Sequence, residues 1–143
     1  MNKLQGLMFA SMTLMATAAV ADEGHELTVV VTGVSSAEGN IRAVLCQEDE
    51  QFPNVCEIRQ VVPAAEGTVK IVFPDIPAGE YAFAAFHDAN DDQRLNFSQN
   101  GMPAEGLIFS QDAMGRMGPP NFQDSAFELT DDQRILAAAR YFE

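Results

Sequence analysis

Short runs of alternating apolar and polar residues, each closed by a turn signal, recur along this chain and confine it to a β architecture. Residues 26–34 (ELTVVVTGV) are rich in Val and Thr and end at a Ser/Gly cluster, the composition of a strand running into a turn. Residues 40–46 (NIRAVLC) set Ile41, Ala43 and Leu45 on one face and Arg42 on the other. Residues 57–62 can form a short strand. In residues 68–73 (TVKIVF), Val69, Ile71 and Phe73 alternate with Lys70. The PDIPAGEY stretch then marks a tight turn into residues 80–87, where Tyr81, Phe83, Ala85 and His87 share a face. Two more strands are expected at 125–129 and 134–142. The Ala run of the last is compatible with helix, but Ile135, Leu136, Tyr141 and Phe142 at its ends favour strand.

About seven short strands with turn signals between them predict an all-β fold, an immunoglobulin-like or prealbumin-like β-sandwich with one long loop. A membrane barrel is excluded, because most strands are too short and a long polar stretch interrupts them. That stretch, residues 88–122, is rich in Asp, Asn, Gln, Gly, Met and Pro, with one apolar patch at Leu107, Ile108 and Phe109. A loop so long is usually functional or partly disordered. It leads into MGRMGPPNFQDSAF, residues 114–127, where Gly115, Gly118, Pro119 and Pro120 shape a connection that Phe122 and Phe127 anchor.

Residues 1–21 read as a secretory signal, with Lys3 in the basic region, an apolar run from Leu7 to Ala19, and Ala19-Val20-Ala21 as the cleavage site. The apolar run is shorter than the roughly 20 residues a bilayer-spanning helix needs. Residues 22–143 are expected to form a single domain, periplasmic or secreted, with no integral membrane segment. All 21 acids lie in that part, whereas Lys3 is one of the eight bases, so seven bases face 21 acids and the net charge is −14. Phosphate contacts require Lys and Arg, which excludes nucleic acid and disfavours anionic membranes. Cations and partners with basic patches are favoured, and solubility alone is a second reason for such a charge. Cys46 and Cys56, the only cysteines, predict a disulfide in an exported chain. Their spacing is not C-x-x-C, which argues against a redox pair.

The richest constellation is HDANDDQRLN, residues 87–96. Asp88, Asn90 and Asp92 recur at every second position, with Arg94 and Asn96 continuing the register. A calcium loop needs this spacing, because alternate oxygen-bearing side chains converge on a hard cation while the seventh position, here Arg94, supplies a backbone carbonyl. Leu95 stands at the apolar eighth position. Against the pattern, position six is Gln93 rather than Gly, and position twelve is Gln99 rather than the bidentate Glu. The competing reading is an acidic turn whose Asn and Asp side chains cap their own backbone.

His87, at a strand end, is a candidate base with Asp88 or Glu105 for a hydrolytic enzyme, although a lone His is more often structural. No nucleophile or zinc-protease motif accompanies it. Met102, Met114 and Met117 are the methionines outside the signal segment. Thioethers suit Cu(I), which makes copper binding an alternative, and packing of the loop onto the sandwich is the plainer one.

Several of these pieces together resemble one bacterial family, domain of unknown function 2141. They are LTVVVTGVSSAEGNIRAVL near the start, the run from Phe73 to Asp88, the Asn90–Asn96 loop, Gly101-x-Pro103-x-Glu105-Gly106, and GPPNFQDSAF from Gly118 to Phe127. The resemblance covers nearly all of residues 22–143. It implies export and a β-sandwich and carries no agreed activity. Members of the family have D-x-N-x-N-G-K-L-D in the loop. This chain keeps Asp88, Asn90 and Leu95, and has Asp92 for Asn, Gln93 for Gly and Asn96 for Asp. The expected function is an exported, non-catalytic binding or interaction module with a calcium-ordered loop. Its binding surface would include His87, Glu105 and Phe122, and its partner would be an envelope protein, a peptide or a glycan.

Overall fold

A computed structural model describes residues 23–142; the expected signal segment, residues 1–21, lies outside them. The described residues form eight strands in two sheets, a β-sandwich. β1 (His25–Val34), β2 (Asn40–Cys46), β3 (Ile58–Pro63), β4 (Gly67–Ile76) and β5 (Gly79–Asp88) follow the alternating runs closely. β6 (Leu107–Phe109), β7 (Ala126–Leu129) and β8 (Gln133–Ala138) complete the set. One sheet has the order β4-β1-β8, and the other has the order β3-β2-β5-β6 with β7 also paired to β5.

The Val-rich β1 is the centre of the smaller sheet. β4 pairs with it antiparallel and β8 parallel. Leu27, Val29 and Val31 face inward and meet Ile41, Leu45, Ile71, Phe73, Tyr81, Phe83 and Ile108 in one core between the sheets. These are the period-two positions of the sequence, so the burial follows from alternation. Phe73 and Phe83 cross the interface edge to face, with ring centroids 6.1 Å apart. The Ala run is strand rather than helix because parallel pairing with β1 satisfies its backbone, and Ala137 is buried against the core. The strand is shorter than expected. After Ala138 the chain turns across to the other sheet, where Arg140 bridges Leu107.

The long polar segment is not one uninterrupted loop, since its apolar patch is β6. β6 and β7 divide one edge of β5: β7 pairs with Gly79–Ala82 and β6 with Ala84–Phe86. Phe83 pairs with Leu45 of β2 on its other side, but at this junction it has no partner in β6 or β7, and its N–H donates instead to Ser110 Oγ at 2.9 Å. The same hydroxyl donates to the Ser125 carbonyl at 2.5 Å. A buried serine thus fills a break in the ladder that would otherwise leave an unpaired amide.

The outer face of β5 carries a second apolar layer. Cys46 and Cys56 form the expected disulfide, with Cα atoms 5.2 Å apart. Within the loop it closes, the Glu50 carboxylate accepts from the amides of Gln47 and Glu57. Phe52 on this loop packs edge to face on Phe109 and on Phe122, each at 6.2 Å. Phe122 opens the one-turn helix α1 (Phe122–Ser125), which Asn121 caps through its side chain. Among the described residues no helix is long and apolar enough to cross a membrane.

Candidate functional site

β5 ends at Asp88, and strand alternation sends its last two side chains to opposite faces. His87 points into the sandwich end and is 1% exposed. Its Nε2 lies 2.7 Å from the Glu38 carbonyl, which can only accept, so Nε2 carries a proton. Its Nδ1 lies 2.9 Å from the Tyr141 hydroxyl, which in turn accepts from the Ser35 amide. Both ring nitrogens therefore join the β1–β2 turn to the C-terminal segment. Among the described residues no hydrogen bond links His87 to Asp88 or Glu105. The catalytic pairing considered for His87 is not assembled here.

Asp88 points the other way and is fully buried. Its Oδ2 accepts from Arg42 Nε at 2.6 Å and from the Gln93 amide at 3.0 Å. Its Oδ1 has a longer contact, the Asp92 amide at 3.2 Å. The chain can curl around this carboxylate because Asp91 and Gln93 both adopt left-handed backbone, with φ of 53° and 65°. The turn sits tightly against its neighbours. At Gly39, on the β1–β2 turn, a Cβ would lie 1.9 Å from the Asp88 carbonyl oxygen, which excludes any larger residue without movement.

The remaining loop residues of the expected register also converge. Asn90 Oδ1 accepts from the Asp92 amide at 3.3 Å, and Asn90 Nδ2 donates to Asn96 Oδ1 at 3.2 Å. Asn96 Nδ2 donates to Asp92 Oδ2 at 2.8 Å, and the Arg94 amide donates to Asp92 Oδ1 at 2.9 Å. These contacts, led by the Asn96 bond, hold the Asp92 carboxyl below its usual range. Much of the arrangement is thus the self-capped acidic turn that the Asn and Asp content suggested.

Glu105 adds what such a turn does not require. It lies beyond the 88–96 register, at the entry to β6, and is only 8% exposed. Its Oε2 accepts from the Asn96 amide at 3.2 Å. Its Oε1 is buried and has no partner. Burial pushes this carboxyl above its usual range, and the charges of Asp88 and Asp92 add to the shift. One oxygen each from Asp88, Asp92 and Glu105 lie within 4.8 Å of one another. Calcium–oxygen distances are about 2.3–2.6 Å, so ligands on opposite sides of one ion stand up to about 5 Å apart. The three carboxylates fit that spacing, and Asn90 Oδ1 and Asn96 Oδ1 belong to the same hydrogen-bonded loop. The linear pattern has no acid at position twelve, and Glu105 brings one to the same cluster from outside it. Its sequence signal was its place in the Gly101–Gly106 motif, an acid flanking the apolar patch.

Other candidates fall elsewhere. Phe122 belongs to the aromatic layer on the outer face of β5. Met102 is exposed on the excursion between Asn96 and Glu105, while Met114 and Met117 follow β6, the latter fully exposed. None of the three packs into the core cluster.

A family model described as an uncharacterized protein conserved in bacteria, domain of unknown function 2141, matches residues 29–136. That span runs from β1 to β8 and includes every residue of the acidic loop and Glu105. No curated protein and no solved structure matches the chain.

Proposed function

The chain belongs to that bacterial family, domain of unknown function 2141, and from this premise we propose that it is an exported, non-catalytic binding module whose 88–105 segment is organised by calcium. One observation carries the reading: Glu105 holds a buried carboxyl oxygen without a partner, beside Asp88 and Asp92. A buried unpaired carboxylate costs stability unless a cation or donor reaches it. Asp88, Asp92 and Glu105 would bind through carboxylate oxygens, Asn90 and Asn96 through amide oxygens, and Arg94 through its backbone carbonyl. An all-oxygen set of this kind suits a hard cation.

Export rests on the signal-like residues 1–21, and the Cys46–Cys56 disulfide supports an oxidising compartment. The partner classes remain an envelope protein, a peptide or a glycan, and the acidic charge favours one that carries a basic patch. Calorimetric titration of the purified protein with calcium chloride tests the reading. Wild-type protein binds one equivalent, and Asp88→Ala abolishes the heat of binding. Equal binding by the Asp88→Ala variant would remove this loop from the account. Export is checked by fractionating cells and sequencing the N-terminus of the mature protein, which should begin at Asp22.

A further inference from the structure

The acidic loop contains its own cation. Arg42 lies on β2, opposite Phe86 of β5, and its side chain is partly exposed. Its Nε donates to Asp88 Oδ2 at 2.6 Å, and its Nη2 donates to Asp91 Oδ1 at 2.9 Å. Asp91 is fixed further by Asn40 Nδ2, also at 2.9 Å. The hydrogen bond to Asp88 raises the Arg42 guanidinium above its already high pKa, so the charge is permanent. Asp88 is the one fully buried acid of the loop, and it therefore has a built-in counter-charge.

Two consequences follow from this placement. Four carboxylates, those of Asp88, Asp91, Asp92 and Glu105, crowd one end of the sandwich, and the guanidinium offsets part of their repulsion without any metal. The same positive charge stands one side chain away from the oxygens that would bind a divalent ion, and it opposes that ion's approach. Even with water-like screening, a unit charge at that range alters divalent affinity by about tenfold.

We propose that Arg42 sets the calcium affinity of this site and holds it weak, so that the site fills, and calcium organises the loop, only where calcium is abundant. The proposal rests on the calcium reading above. Arg42 acts here as a positioning residue for Asp88 and as a fixed competitor for the ion.

Calorimetric titration with calcium chloride, with magnesium chloride as a control, tests it on wild-type, Arg42→Gln and Arg42→Lys proteins. Arg42→Gln is expected to bind calcium about tenfold more tightly than wild type and to melt lower in chelator, because Asp88 loses its partner. Arg42→Lys keeps the charge but not the fork, and its affinity stays within about threefold of wild type. Unchanged or weaker binding by Arg42→Gln, with wild type binding normally, overturns the role of Arg42 and leaves the calcium reading intact. Should Arg42→Gln fail to fold, the Lys variant decides. A loss of tenfold or more there shows that fork geometry, not charge, governs the site. Absence of calcium binding in wild type overturns both.

Discussion

Glu105 and Asp92 are neighbours with opposite environments. Hydrogen bonds from Asn96 and Arg94 stabilise the ionised form of Asp92, whereas burial disfavours the ionised form of Glu105. The sign of the pH effect follows. With its folded-state pKa raised, Glu105 binds its proton more tightly in the native protein than in the unfolded chain. In chelator, its contribution to stability therefore falls as pH rises through the interval between the two values. Glu105→Gln removes this slope. At neutral pH the variant should melt above wild type in chelator and lose the gain that calcium gives wild type. A variant that melts below wild type in chelator would show that the Glu105 charge is already compensated within the fold. Gln93 offers a second test, because it holds a left-handed φ at the position where the calcium-loop pattern has Gly. Gln93→Gly should raise stability in urea titrations by up to about 1 kcal/mol, relief of strain being partly offset by unfolded-chain entropy. A clear loss of stability would mean that the Gln93 side chain makes a contribution that outweighs its backbone strain.

At the scale of elements, the disulfide loop acts as a lid on the outer face of β5. It closes a short loop, worth about 2–3 kcal/mol in the chain-entropy model, and it seats Phe52 on Phe109 and Phe122. Replacing both Cys46 and Cys56 by Ala should cost at least that much in chemical denaturation while leaving calcium binding unchanged. A loss of calcium affinity in that variant would show that the lid supports the acidic loop. The aromatic layer itself was not legible in the sequence, because Phe52 and Phe122 sit in polar segments with no periodicity around them. β1 to β5 were legible, since each buries one face and its alternation states which. β6 was visible only as three apolar residues, too few to distinguish a strand from a loop anchor. The end of β8 was misplaced for a related reason. Tyr141 continues the apolar pattern, yet its hydroxyl is drawn away to His87 and the Ser35 amide. Of the candidate site, the Asp88–Asn96 register could be read because its spacing is local. Glu105 joins it only through the β5–β6 pairing, and its role against a short linear motif was hidden for that reason. His87 differs: its catalytic reading came from its place at a strand end beside Asp88, its isolation favoured a structural role, and in the fold its two hydrogen bonds go to Tyr141 and the Glu38 carbonyl.

For the whole molecule, a net charge of −14 on residues 22–143 sets the background in which the loop works. Such a charge raises the local concentration of divalent cations and repels anionic surfaces. It therefore demands a site that discriminates by geometry rather than by charge alone. The buried Glu105 oxygen, held opposite Asp88 and Asp92, is the feature that separates this loop from the rest of an acidic surface. The most direct test is the thermal midpoint of the purified protein in excess calcium against excess chelator, with magnesium alongside. Binding to the native state alone raises the midpoint by linkage, and the account predicts a rise of several degrees in calcium that exceeds the change in magnesium. Identical midpoints in calcium and chelator would contradict it and leave Asp88, Asp92 and Glu105 as a self-capped turn.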